Sequence, residues 1–182
     1  MNYATIKNCD IANGPGVRIS LFVSGCTHRC KGCFNEVAWD FNYGQPFTQE
    51  TVEMILEMMA PSYIKGITLL GGEPFEPQNQ PALLELVKRI RQKYPDKSIW
   101  TFSGYLYEKD ILAGRLGDPA ITRAFLEHID VLVDGPFVES LKDLSLRFRG
   151  SSNQRLIDVK RSLAQGQTVL WEDWQGNRKG MQ

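Results

Sequence analysis

Val17-Arg18-Ile19-Ser20-Leu21-Phe22-Val23-Ser24-Gly25-Cys26-Thr27-His28-Arg29-Cys30-Lys31-Gly32-Cys33 is the stretch from which the fold and the chemistry are both read. Its first seven residues alternate apolar and polar, then end in a continuous apolar run. That pattern predicts a strand buried on both faces at its end. A turn cluster, Asn13-Gly14-Pro15-Gly16, leads into it. Three cysteines spaced C-x3-C-x2-C follow at once, three of only four in the chain. A reactive loop just beyond the C-terminal end of a strand is where barrel and open α/β folds keep their chemistry. Thiolates are soft ligands that suit iron–sulfur clusters, zinc and Cu(I). Three close thiolates can each hold one iron of a 4Fe–4S cube, which leaves the fourth iron without a protein ligand. An open coordination position of that kind makes a metal site reactive.

Other readings of the cysteines stay open on spacing alone. A disulfide framework fits poorly with four cysteines and an N-terminus, Met1-Asn2-Tyr3-Ala4-Thr5-Ile6-Lys7, that does not read as a secretion signal. Zinc is a fairer rival, because His28 can join Cys26, Cys30 and Cys33 as a fourth ligand, giving a non-catalytic adaptor. Structural zinc, however, usually takes its ligands as two separated pairs that tie distant segments together. Cys9 lies outside the loop and reads as structural.

The C-x3-C-x2-C loop resembles that of the radical S-adenosylmethionine (SAM) enzymes. The resemblance implies a 4Fe–4S cluster held by Cys26, Cys30 and Cys33, with SAM chelating the free iron. One departure is Gly32, where that superfamily usually has an aromatic residue before the third cysteine; Phe34 comes just after it. Adenine contact is then implied for Gly32, Cys33 and Phe34. The second resemblance is Gly71-Gly72-Glu73-Pro74, which follows the apolar run Ile64–Leu70. Read from the residues, two glycines permit close backbone approach, Glu73 offers a carboxylate to an ammonium group, and Pro74 stiffens the exit. In radical SAM enzymes such a segment binds the methionine amino group. Alone it is also a common turn.

Further along, Thr48–Met59 has a helical pattern with Thr48 as N-cap, and Pro61 ends it. Pro81–Tyr94 is an amphipathic helix, with Leu83, Leu84, Val87 and Ile90 on one face. Ser98–Phe102 and Ile129–Val133 read as further strands, and 106–113 and 119–128 as helices. Each strand delivers polar residues at its C-terminal end: the cysteines, Glu73, Thr101 with Ser103, and Asp134. That convergence predicts one pocket. It nominates Thr101, Ser103 and Asp134 for the ribose or carboxylate region of SAM, with or without a cation; each taken alone reads first as a turn or cap residue. Repetition of strand, loop and helix predicts an α/β fold with a mostly parallel sheet. The resemblance to radical SAM enzymes implies, more narrowly, a partial, open (β/α)6 barrel.

The run Asn13-Gly14-Pro15-Gly16-Val17-Arg18 is similar to the entry segment of glycyl-radical activating enzymes. Asp134-Gly135-Pro136-Phe137-Val138, Arg149-Gly150-Ser151-Ser152-Asn153-Gln154, Trp39, Gly44–Thr48 and Ile99-Trp100 resemble the branch that activates anaerobic ribonucleoside-triphosphate reductase. The resemblance spans residues 1–158, read as the activase domain, with 159–182 as a C-terminal extension containing Trp171 and Trp174. It implies a glycyl-radical activase whose partner is that reductase, with an electron donor such as flavodoxin. An activase of another glycyl-radical enzyme, such as pyruvate formate-lyase, or a small-molecule radical SAM enzyme is the nearest alternative. The cofactor would carry the chemistry, so no catalytic acid or base is expected.

Composition agrees with a globular protein, and free thiols without a targeting segment lead to the expectation of a cytoplasmic one. Its 182 residues suit one domain, with 42% apolar and 23% charged residues. Zero formal net charge gives no reason to expect nucleic-acid binding, and no apolar run approaches bilayer length. From Lys142 onward there are eight Lys/Arg against four Asp/Glu, a basic region that fits an acidic partner surface or simply a solvated face.

Overall fold

The computed structural model describes residues 1–172. Seven strands form one sheet: β1 (Asn2–Asp10), β2 (Val17–Val23), β3 (Gln45–Pro46), β4 (Ile64–Gly71), β5 (Ser98–Phe102), β6 (Val131–Asp134) and β7 (Arg155–Asp158). Their spatial order is β3-β1-β2-β4-β5-β6-β7. Four α-helices accompany them: α1 (Gln49–Met58), α2 (Gln80–Lys93), α3 (Pro119–Glu127) and α4 (Val159–Gln165). Thr48 caps α1, its N–H donating to Thr51 Oγ1 at 3.2 Å, so a threonine does the work of the usual acid in a capping box. Trp174 lies outside the described residues.

The sheet corrects the expectation of a mostly parallel, partial (β/α)6 barrel. It is mixed and open. β2, β4, β5 and β6 run parallel, but β1 pairs antiparallel with both β2 and β3, and β7 pairs antiparallel with β6, so three of the six pairings are antiparallel. The physical reason lies in the connections. A parallel pairing needs a long crossover, whereas a short turn returns the chain antiparallel. Only six residues, including the Gly14-Pro15-Gly16 turn, separate β1 from β2. The link from β6 to β7, residues 135–154, is long enough for a crossover but carries no α-helix to make one, only a short 3-10 turn at Glu139–Leu141, and the chain comes back antiparallel beside β6 as β7. The sheet's edge strands, β3 and β7, do not pair with each other.

Alternation along the central strands gives the sheet two different faces. Ile19, Leu21, Ile67, Leu69, Ile99, Leu132 and Ile157 are buried together with Val52, Ile55 and Leu56 of α1, Leu83 and Val87 of α2, and Phe125 of α3. The alternate residues, Trp100, Val131 and Val133, form a second cluster with Phe102, Phe148, Leu156 and Trp171. Arg18 is buried beside them. Its guanidinium donates to Thr68 Oγ1 (2.8 Å), Ser98 Oγ (2.8 Å) and the Ile67 carbonyl (2.7 Å), and lies 5.5 Å from the Trp100 ring centroid. Burial, before any charge effect, brings its pKa down to about 10. The arginine that follows the N-G-P-G turn is therefore a staple across β2, β4 and β5.

Residues beyond 158 take part in this packing. Val159 joins the main core. Further on, the Trp171 N–H donates to the Leu156 carbonyl at 2.8 Å, and Leu170 bridges Ile157 antiparallel. This sets the Trp171 ring edge-on to Trp100, 4.9 Å between centroids.

Candidate functional site

The cysteine loop leaves β2 at Ser24 and is held against the loop that leaves β4. Gly72 N–H donates to the Val23 carbonyl at 2.7 Å, and Glu73 N–H donates to the Gly25 carbonyl at 2.8 Å. This approach needs glycine. A Cβ on Gly72 would sit 2.6 Å from the Gly25 carbonyl oxygen, and one on Gly71, whose φ is +106°, would sit 2.8 Å from Val23 N. The two glycines of G-G-E-P thus join two backbones, a use the sequence reading did not include.

Glu73 ties in a third loop. Its carboxylate is buried and accepts from Phe75 N–H (2.8 Å), Ser103 Oγ (2.9 Å) and Gly104 N–H (2.7 Å), while His28 Nε2 lies 3.0 Å away. Ser103 and Gly104 follow β5, so the loops after three parallel strands meet at one carboxylate. The His28 ring also packs on Tyr105, 4.3 Å between centroids. Burial opposes charge on His28, but the hydrogen bond and charge of Glu73 prevail, and its pKa is raised above the ordinary value.

Cys26, Cys30 and Cys33 line one wall of a cavity of about 460 Å³. Gly32, Phe34, Gly71, Gly72, Glu73 and Ser103 line it too, so most of the residues nominated from sequence converge there. All three thiols are partly exposed. Burial pushes the Cys26 thiol up to about 12, with the Glu73 and Glu76 charges adding to it and backbone hydrogen bonds opposing. Among the described residues, no three His, Cys, Asp or Glu side chains gather as a single-ion site requires. A cluster spreads its thiolates over separate irons, and three soft donors on an open wall fit that arrangement.

Thr101 and Asp134 are placed elsewhere. Thr101 is fully buried, with Oγ1 donating to the Leu69 carbonyl at 3.3 Å. Asp134 is fully buried against Arg155, whose Nε donates to Oδ1 at 2.9 Å and whose Nη2 reaches Oδ2; Tyr107 N–H donates to Oδ2 at 2.9 Å. The cation beside Asp134 is therefore an arginine of this chain. Pro74 is not among the residues lining the cavity.

The lining also includes Phe137, Arg149 and Gln154, which the sequence tied to the activase branch without a place in the cavity, and Leu144 and Phe148, from a stretch readable only as an ordered loop or terminal strand. Glu76 and Arg155 were also missed. Neither carries a local signal, since their partners Thr27 and Asp134 lie 49 and 21 residues away.

The family model described as "4Fe-4S single cluster domain" matches residues 12–157, the span that carries the thiol-lined cavity, and places the chain in a single-cluster iron–sulfur class. The chain is 47% identical over 156 residues to the anaerobic ribonucleoside-triphosphate reductase-activating protein of Escherichia coli (strain K12), covering 85% of this chain and 96% of that one. The proteins of the same name from Enterobacteria phage T4 and Vibrio cholerae are 42% and 43% identical over 156 residues, covering 86% and 85% of this chain and 93% and 96% of their own. The chain belongs to the 4Fe-4S single cluster domain family and, within it, to the group of anaerobic ribonucleoside-triphosphate reductase-activating proteins.

Proposed function

We propose that this chain is a radical SAM activase that generates a glycyl radical on anaerobic ribonucleoside-triphosphate reductase. The observation that carries the reading is the cysteine loop, which is bonded through Gly25 to the G-G-E-P loop and lines the same cavity as Gly72, Glu73 and Ser103. Cys26, Cys30 and Cys33 would hold a 4Fe–4S cluster, and Gly32, Phe34 and the Gly71–Glu73 segment would hold SAM. When bound, that pair supplies one-electron cleavage of SAM, the source of a radical that takes hydrogen from a glycine Cα.

The chain's own residues orient and enclose. Glu73 fixes the relative positions of three loops, and His28 is its donor nearest the cysteines. Leu70, Phe102 and Phe148 supply an apolar lining, which limits water around a reactive species. Phe34 and Leu144, 85% and 92% exposed, border the cavity and suit contact with a partner's segment. A low-potential donor such as flavodoxin would deliver the electron. No helix among the described residues is long and apolar enough to cross a membrane, which agrees with a reductase partner in the cytoplasm.

The test is anaerobic reconstitution with iron and sulfide, reduction in the presence of SAM, and addition of the purified reductase. A glycine-centred EPR doublet is expected, absent from Cys26→Ala, Cys30→Ala and Cys33→Ala. Full activation by any of the three variants refutes the ligand assignment. A doublet only when pyruvate formate-lyase replaces the reductase refutes the partner, and zinc without iron or sulfide refutes the whole reading.

A further inference from the structure

Behind the cysteine loop sits a second buried carboxylate that the mechanism above does not use. Glu76, 5% exposed, lies in the turn between β4 and α2. Its backbone is fixed, since its carbonyl accepts from Asn79 N–H (2.8 Å) and Gln80 N–H (3.2 Å). From this rigid base its Oε1 accepts from both the N–H (2.8 Å) and the hydroxyl (2.5 Å) of Thr27, with the Tyr105 hydroxyl at 3.5 Å. Thr27 is the residue immediately after Cys26.

We propose that Glu76 is a positioning residue for the cysteine loop, one that anchors Thr27 and keeps a negative charge beside the cluster that loop would hold. The charge part rests on the cluster reading given above. Glu73 faces His28, but the partners of Glu76 are an amide and two hydroxyls, all neutral. A carboxylate away from water acts through a low dielectric and is felt more strongly than one at the surface. Reduction adds a negative charge to a cluster, and net charge near a cluster is one of the terms that set its potential. Glu76 therefore makes reduction harder and the reduced state a stronger donor. It also keeps the backbone beside Cys26 in one conformation through a charge-assisted pair of hydrogen bonds.

Three variants separate anchor from charge. E76Q offers the same carbonyl oxygen to Thr27 without the charge; T27V removes one donor but leaves the carboxylate; E76A removes both. After anaerobic reconstitution, E76Q is expected to match the wild-type iron and sulfide content while its cluster titrates at a higher midpoint potential. T27V keeps the wild-type potential. In the metal-free proteins, followed by hydrogen exchange, the Thr27 amide of E76A exchanges roughly tenfold faster than in wild type, and that of E76Q does not. Equal potentials in E76Q and wild type overturn the charge assignment. Unchanged Thr27 exchange in E76A, or in E76Q the acceleration expected of E76A, overturns the anchor. A wild-type protein that assembles no cluster refutes the function proposed above instead, and the exchange comparison then still decides the role of Glu76.

Discussion

Replacing Arg155 by methionine removes the cation from a carboxylate that water does not reach. Asp134 is 0% exposed, and Arg155 supplies two of its hydrogen bonds, Tyr107 N–H the third. Removing one partner of a buried ion pair costs on the order of 3–5 kcal/mol, because the other charge is stranded. The Arg155 side chain is 35% exposed, so water can enter where it leaves and the low end applies, about 3 kcal/mol. For a chain of this size that lowers the melting temperature by roughly 6–12 °C. Circular dichroism melts of R155M, D134N and the double variant measure it, with the double variant more stable than R155M because no buried charge is left without its partner. Acid titration adds a second reading. The hydrogen bond from Arg155 holds the carboxyl of Glu108 down to about 2. A lowered acid contributes stability that is present above its ordinary value and lost as pH falls toward the folded value. Wild type therefore loses stability on acidification below about pH 4.5 through this group, and R155M loses less. An R155M protein within about 1 kcal/mol of wild type, with the same acid slope, refutes the claim that this pair locks β7 onto β6.

Other expectations concern the loops and the edge of the sheet. Gly72→Ala places a Cβ 2.6 Å from the Gly25 carbonyl, backbone against backbone, and should cost roughly 1–3 kcal/mol in denaturant titrations; a neutral change would show that the two loops can part. Glu73→Gln turns an amide NH2 toward two of the donors that the carboxylate accepts, so one pair is lost, at about 1–3 kcal/mol, with faster hydrogen exchange at Gly104 or Phe75; unaltered exchange at both would contradict the shared-carboxylate geometry. Trp171→Ala removes the edge-on partner of Trp100 and Phe148 and should cost roughly 2–3 kcal/mol, below the fully buried range because Trp171 is half-buried; full retention of the melting temperature would mean that the segment beyond α4 adds nothing to the core.

How far the sequence could be read depended on the range of the interaction concerned. The strand Val17–Val23 and its cysteine loop, the run Ile64–Leu70 before G-G-E-P, and the helix around Leu83–Ile90 were legible because periodicity, cysteine spacing and glycine content are local signals. Most of the nominated cavity residues were legible for the same reason, since each ends a strand of one parallel set. Asn2–Asp10 and Arg155–Asp158 were not. Neither segment has strict alternation, and each is recognised as a strand only by its pairing with a neighbour, β1 with β2 across a six-residue turn and β7 with β6 across the loop 135–154. Those two strands make the sheet mixed instead of mostly parallel.

The sequence alone established three soft donors on one short loop at a strand's end, and hence the chemistry the loop can support. Only tertiary structure settled which polar residues face the cavity and which are spent on the fold. Asp134 and Glu73 look alike as carboxylates at the ends of strands, yet one is taken up by Arg155 and the other joins three loops at the cavity wall. A buried carboxylate's role is decided by the donors that reach it, and those donors come from distant parts of the chain.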